Sequence, residues 1–318
     1  MRTPRRSSLL YFKCWGMFMK DFSKWDEYEG VTEGSGRSEK IWLQDSISKR
    51  VGLFKFKKDI GTTDHISECI AYQLACLIDV PCAEFELGTY KGREGSMSYG
   101  ITTDKESLIE GINYILKIYP EYDMNNLKDR ASDKVYSLEM IKESIENYIR
   151  FDDFLVIPIF DYLIGNTDRH QNNWAIIYDG IGMHLSPLYD NSSSLCAYMK
   201  ETDLKACLGN DKMKWLSVVE TKSKSVIRIK STDKKKPTHL QVLQYICENF
   251  YEETRDLVSR IIARVNEKNI DIILEPYSDD QLSSDRKRVI KKYLLHKVDK
   301  LREVYFEKEN NDVDQGTA

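Results

Sequence analysis

The chain has 318 residues, of which 41% are hydrophobic and 31% charged, with a formal net charge of −4 and a pI near 5.9. This composition suits one large two-lobed domain or two modest ones and argues against disorder. The acidic balance lacks the basic excess by which non-specific nucleic-acid binders displace counterions, so no direct nucleic-acid contact is expected.

Seven cysteines, at 14, 69, 76, 82, 196, 207 and 247, form no C-x-x-C pair. An odd number so spaced argues against a disulfide framework or structural zinc and points to a reducing, cytoplasmic setting. The first twenty residues begin basic and turn apolar, but Lys13 breaks the apolar run and no small-x-small cleavage site follows. They read as an N-terminal extension upstream of a start at Met17 or Met19, with a targeting element as the alternative. Nowhere does an apolar stretch reach the roughly 18 residues of a membrane span, so no membrane association is expected.

From Ile41 to Tyr99 the pattern predicts strands around one helix: IWLQ, RVGLFKF, a helix over about His65–Ile78, then AEFELGTY and SMSYGI flanking the turn KGREG. Thr63 and Asp64 are cap candidates, Ile66, Ile70, Leu74 and Leu77 recur at helical spacing, and Pro81 ends the helix. Beyond residue 103 the reading is almost wholly helical: Leu108, Ile112 and Ile115 on one face, then Leu138, Ile141, Ile145 and Ile149, then the apolar FLVIPIFDYLI. Strands return only at Trp174–Tyr178 and Gly182–Leu185, joined through Asp179-Gly180. Three more helices follow from Leu240, the last carrying Val289, Tyr293, Val298, Leu301 and Tyr305, with a frayed acidic end from Asn310. The expected fold class is α+β and bilobal, with a small β-rich N-terminal lobe over residues 1–102 and a larger, mostly helical lobe over 103–318.

The segment Asp161–Asp190 concentrates the chemistry. Phosphoryl transfer needs a carboxylate to orient the attacking hydroxyl and oxygen ligands to hold Mg²⁺ across the phosphates. Asp168 is followed five positions later by Asn173, the spacing of base and metal-binding Asn in the kinase pattern D-x-x-x-x-N, and Asp190 follows a hairpin that returns it to the same place as a second metal ligand. His170 reads either as a loop-holding residue or as a participant in catalysis, and Arg169 either pairs with a carboxylate or contacts phosphate.

Lys55 shares a strand face with Val51 and Leu53, so it needs an anionic partner. Phosphate is one candidate; Glu68, thirteen residues on, is another, and the two match the strand-lysine and helix-glutamate pair of kinases. Upstream, Gly34-Ser35-Gly36-Arg37-Ser38 is a candidate phosphate-covering loop, although Glu39 breaks the G-x-G-x-x-G pattern. The basic run Lys222–Lys236 reads as a solvated surface, with docking of an acidic segment as the alternative.

On NTDRHQNN at 166–173, LSPLYDN at 185–191 and FKF around Lys55, the chain resembles the HipA-like serine/threonine kinases, including short forms of the CtkA type. The resemblance implies ATP and Mg²⁺ as cofactors, Asp168 as catalytic aspartate, Asn173 and Asp190 as metal ligands, Lys55 on the phosphates and self-phosphorylation of a serine in the 34–38 loop. It also implies a protein substrate with a Ser/Thr acceptor and raises an antitoxin-like partner, although the short stretch before the 34–38 loop leads to the expectation that the N-terminal subdomain of the longer family members is missing. Alternative readings are a kinase acting on a lipid or small molecule, a metal-dependent hydrolase using Asp168, His170 and Asp190, and a catalytically dead interaction module.

Overall fold

The computed structural model describes residues 19–29, 39–103 and 105–315, with side chains to residue 306. The fold is α+β. Two short strands that no sequence pattern announces, β1 (Lys20–Asp21) and β2 (Asp26–Glu27), join β3 (Lys40–Gln44), β4 (Val51–Phe56), β5 (Phe85–Tyr90) and β6 (Arg93–Tyr99) in one sheet of order β1-β5-β6-β4-β3-β2. Every pairing in it is antiparallel except β1 with β5.

The turn between β5 and β6 is shorter than KGREG suggests. Lys91 and Gly92 both take positive φ, 49° and 78°, which closes a two-residue hairpin and leaves Arg93–Gly95 paired in the strand. In β4 the alternation holds, but the fully buried face is the one opposite Lys55: Phe54 packs with Phe22, Leu43, Met97 and Tyr99, while Val51, Leu53 and Lys55 are half-buried.

Helix α1 (Asp64–Leu77) lies as expected, with Ile66, Ile70, Leu74 and Leu77 buried. Thr63 occupies the N-cap position without a side-chain capping bond. The helix ends before Pro81, because Asp79 turns left-handed at φ 56° and the Val80 amide closes on the Ala75 carbonyl at 2.9 Å. One apolar core runs without interruption from α1 and β5 into the helical part of the chain.

Leu108 is not helical as its spacing to Ile112 and Ile115 predicts. Ser107–Glu110 is strand β7, and helix α2 (Gly111–Ile118) begins only where the Gly111 amide meets the Trp174 carbonyl at 2.9 Å. A glycine is needed there: a Cβ would lie 2.2 Å from the Trp174 ring. Two-residue strands β8 (Tyr122–Asp123) and β9 (Lys128–Asp129) precede α3 (Leu138–Ile145), α4 (Phe151–Phe154) and α5 (Val156–Ile164). The hairpin β10 (Ala175–Tyr178) and β11 (Met183–Leu185) follows, with β10 pairing β7 on its other edge. The Asp179 carboxylate accepts the Ile181 and Gly182 amides at 2.8 Å to shape its turn.

Helices α6 (Glu201–Leu208) and α7 (Lys212–Leu216), with a π-helical turn over Ser217–Thr221, occupy a stretch whose sequence shows no clear periodicity. The tail holds four helices where three are expected: α8 (His239–Asn249), α9 (Tyr251–Arg264), α10 (Glu267–Leu274) and α11 (Ser284–Gln315). Val289, Tyr293, Val298, Leu301 and Tyr305 of α11 are all buried. Its backbone stays helical through Gln315 in place of the frayed end expected from Asn310. No described helix is long and apolar enough to cross a membrane.

Helix α5 points the chain into the segment of interest, and Gly165 is its left-handed cap at φ 68°. A Cβ on Gly165 would lie 2.2 Å from the Tyr293 hydroxyl of α11. Gly165→Ala therefore suffers both backbone strain and a clash, and is expected to lose about 2 kcal/mol or more in urea unfolding. A loss under about 0.5 kcal/mol would mean that the α5–α11 junction is looser than described.

Candidate active site

Asp161 sits inside α5, 2% exposed, in an otherwise apolar helix. A carboxylate in such a place needs a buried cation. Arg169 supplies it, itself 1% exposed: Nε donates to Oδ2 of Asp161 at 3.0 Å and Nη2 to Oδ1 at 2.8 Å. The remaining N–H groups of Arg169 reach the Asn173 carbonyl at 2.8 Å, the Tyr189 carbonyl at 2.6 Å and the Asn191 side-chain oxygen at 2.6 Å. The ambiguity of Arg169 in the sequence thus resolves as a carboxylate pair.

Around this centre the loop 166–173 folds on itself. The Asn166 side-chain oxygen accepts the Asp168 amide at 3.0 Å, and the Asp168 carbonyl accepts both the His170 amide at 2.8 Å and the Asn173 side-chain amide at 2.7 Å. That last bond leaves Oδ1 of Asn173 to act as an acceptor or metal ligand. Asp168 is exposed, its carboxylate open to an incoming group. Half-buried His170 accepts the Asn172 amide on Nδ1 at 3.3 Å, a contact that shapes the turn.

The Lys55 ammonium, arriving from β4, stands 3.5 Å from Glu68 of α1 and 3.3 Å from Asp190. The sequence-predicted pair of Lys55 and Glu68 is therefore formed. Asp190 takes a left-handed φ of 54°, a conformation that Asp tolerates and that accompanies functional constraint. Its segment is stitched to the sheet side of the molecule. The Leu188 amide and carbonyl pair with the Pro81 carbonyl and Ala83 amide at 2.9 and 2.7 Å, and the Asn191 amide donates to Glu68 at 2.8 Å.

Electrostatics follow from burial and these neighbours. Burial works against ionisation of Asp190, but Lys55, helped by Arg169 and His170, outweighs it and holds the carboxyl below its usual range. Burial likewise opposes the charge on Lys55, and Asp190 and Glu68 overcome it, so the ammonium is held more firmly than usual. Glu68 is pushed up to about 7, by burial first and by the Asp190 charge, with Lys55 pulling the other way.

Asp168, His170, Asn173, Asp190, Lys55 and Glu68 all converge on this region through the contacts above. Gly34, Ser35, Gly36, Arg37 and Ser38 lie outside the described residues. Asp161, Asn166 and Asn191 are supporting groups that the motif reading passes over, although a lone carboxylate in FLVIPIFDYLI already signals a buried partner. Among the described residues no group of three or more His, Cys, Asp or Glu could hold a metal. Asp190 and Asn173 carry hard oxygen donors of the kind that Mg²⁺ takes, an ion that uses one or two protein ligands and completes its shell with phosphate and water.

Lys55→Met tests the pairing without any ligand. It leaves the Glu68 carboxylate, 1% exposed, without its cation, and loss of a buried partner costs about 3 kcal/mol. Glu68 already has a raised folded-state pKa, so its charged form destabilises the fold as pH rises through about 7. Removal of Lys55 raises that pKa further, and urea unfolding of the variant should show a larger loss at pH 8 than at pH 5. An equal loss at both pH values would contradict the pairing.

Residues 32–268 match the family described as the HipA-like C-terminal domain. No curated protein matches the sequence. Among solved structures, the chain is similar to the Helicobacter pylori proinflammatory kinase CtkA, with a TM-score of 0.74 and 19% identity over 91% of this chain and 98% of that one. It is also similar to HipA of Shewanella oneidensis MR-1, solved with HipB and operator DNA, with a TM-score of 0.50 and 13% identity over 95% of this chain and 73% of that one. That complex contains DNA, so the likeness lends no support to the expectation of no nucleic-acid contact. At these identities the structural likenesses establish a kinase-type fold, and the family match over most of the chain establishes the kinship: the chain belongs to the HipA-like C-terminal domain family.

Proposed function

We propose that this protein is an ATP- and Mg²⁺-dependent kinase that transfers the γ-phosphoryl group to a serine or threonine hydroxyl of a protein. The observation that carries the reading is the meeting of Lys55 from the sheet, Glu68 from α1 and Asp190 within 3.3–3.5 Å of the shared ammonium, beside the loop that presents Asp168 and Asn173. In this reading Lys55 contacts the phosphates and Glu68 orients Lys55. Asp190 and Asn173 hold Mg²⁺, and the exposed Asp168 carboxylate accepts the acceptor hydroxyl's proton. The bound cation neutralises charge on the phosphates; the chain's residues supply position and orientation.

Residues 1–102 then serve as the nucleotide lobe and 103–318 as the lobe of catalytic and metal-binding loops. Ser35 or Ser38 is the site of self-phosphorylation, and an antitoxin-like partner belongs to the reading by likeness to HipA alone. A metal-dependent hydrolase would draw on His170 as a ligand and would have no use for the Lys55–Glu68 pair. The Nδ1 atom of His170 is engaged by the Asn172 amide, which favours the kinase.

The test is incubation of the purified chain with ATP and Mg²⁺, followed by intact mass and peptide mapping. Native protein is expected to gain phosphate on the 34–38 loop, and Asp168→Asn to slow that gain by about a hundredfold or more. Absence of any mass gain together with no thermal stabilisation by ATP and Mg²⁺ would overturn the proposal. Stabilisation without mass gain would point to an acceptor other than the chain itself.

A further inference from the structure

Behind the loop, away from Lys55, lies a buried polar chain that no step above uses. His239, 2% exposed, stands at the first turn of α8, and its Nε2 is 2.8 Å from the Asn166 carbonyl. A carbonyl can only accept, so Nε2 carries the proton. Burial first, and then the charge of Lys297, drives the His239 pKa down to about 3, so the ring is neutral and Nδ1 is an acceptor. The Ser223 hydroxyl lies 3.0 Å from Nδ1 and must donate to it. Its oxygen then accepts from Lys297 Nζ at 3.2 Å, a group whose own pKa burial drives down to about 7 and which donates as amine or ammonium, and from the Tyr293 hydroxyl at 3.3 Å.

Each assignment forces the next. Ser223 spends its single hydrogen on His239 and receives two donors, which satisfies its full capacity. Lys297, 2% exposed, is fixed in turn by donating to the Val219 carbonyl at 2.7 Å and by lying 4.5 Å over the Tyr162 ring. The frame is stiff at the His239 end as well. Thr238 and Gln241 form a complete capping box on α8, and the His239 amide donates to the Ser223 carbonyl at 2.8 Å.

We infer that His239 is a positioning residue for the loop 166–173, with its Nε2–H, oriented by Ser223 and Lys297, holding the Asn166 backbone from which Asp168 is presented. Asn166 is the residue whose side chain caps the Asp168 amide at 3.0 Å, so the grip on its carbonyl holds the backbone that carries this cap. This deepens the proposed function and rests on Asp168 being its catalytic aspartate. Metal-site supports of comparable kind change activity by about 10- to 100-fold when removed.

The experiment compares the native full-length chain with His239→Leu and His239→Gln; glutamine can place an amide N–H where Nε2 stands. Three readouts are taken. Imidazole ¹⁵N NMR should show His239 as the neutral Nε2–H tautomer from pH 5.5 to 8; a charged ring or the Nδ1–H tautomer in that range overturns the inference. Hydrogen exchange at the Asp168 and His170 amides should quicken about tenfold or more in His239→Leu, be largely restored in His239→Gln and stay unchanged in α9. Phosphoryl transfer should fall about 10- to 100-fold in kcat for His239→Leu with KM for ATP within about twofold, and recover in His239→Gln.

A lowered Tm with native kcat and native loop exchange would show a merely structural residue and overturn the inference. If native protein transfers no phosphate under any condition, the proposed function fails, while the exchange and tautomer results still decide whether His239 holds the loop. Should His239→Leu not fold, Ser223→Ala removes only the hydroxyl that orients the ring, and unchanged loop exchange in that variant overturns the inference equally.

Discussion

The buried guanidinium of Arg169 is the constraint on which the site depends. It lies 1% exposed with no water to solvate it, so every N–H must find an acceptor within the fold. The fork on Asp161 satisfies part of that demand and neutralises the charge. The rest is met by three acceptors from two segments, Asn173 in the same loop and Tyr189 and Asn191 some twenty residues on. One side chain thereby fixes the distance between the Asp168–Asn173 loop and the Asp190 segment. Lysine could not substitute, because a compact ammonium lacks the planar five-donor fork that reaches four partners at once.

The second constraint acts across the sheet. Lys55 stands between two carboxylates, at 3.3 and 3.5 Å, so the three groups together carry about one net negative charge when all are ionised. Both distances are longer than a tight ion pair, as expected when one ammonium is shared. Burial and the neighbouring Asp190 push Glu68 up to about 7, which shows how poorly this corner tolerates a second anion unaided. A divalent cation beside Asp190 would relieve the excess, and a phosphate would give Lys55 the further acceptor that its position invites. The strained φ of 54° at Asp190 persists because residues on both sides of it are bonded, Tyr189 through its carbonyl to Arg169 and Asn191 through its amide to Glu68.

What the sequence disclosed follows the range of the interactions involved. Periodicity found α1, and the spacing from Asp168 to Asn173 found the loop, because both are local patterns. Leu108 misled because positions 108, 112 and 115 fit a helix, while the register of Ser107–Glu110 against Ala175–Tyr178 is set by a partner some seventy residues away. The helices over residues 201–216 gave no signal, since α6 and α7 are short and are held by Leu204, Cys207 and Trp215 clustering with Val289 and Tyr293 of α11. His239 was hidden for the same reason: it follows the basic run Lys222–Lys236, which reads as solvated surface, and its partner Asn166 lies 73 positions earlier. The candidate phosphate loop at 34–38 lies outside the described residues, so its place relative to Lys55 rests on sequence alone.

Exposure differs sharply from position to position along the loop 166–173. Asn166, Arg169, Gln171 and Asn173 are buried, His170 and Asn172 are half-buried, and only Thr167 and Asp168 are exposed. Six of eight positions are thus tied to Asp161, to one another or to the helices behind, and the carboxylate left open is the one that the spacing marks. A flexible loop would bear its acid at many angles and lose the advantage of orientation on each encounter. A loop anchored through Arg169 on one side and through the Asn166 carbonyl on the other offers its carboxylate in one place, which is what a reaction with little covalent help from the protein demands of its scaffold.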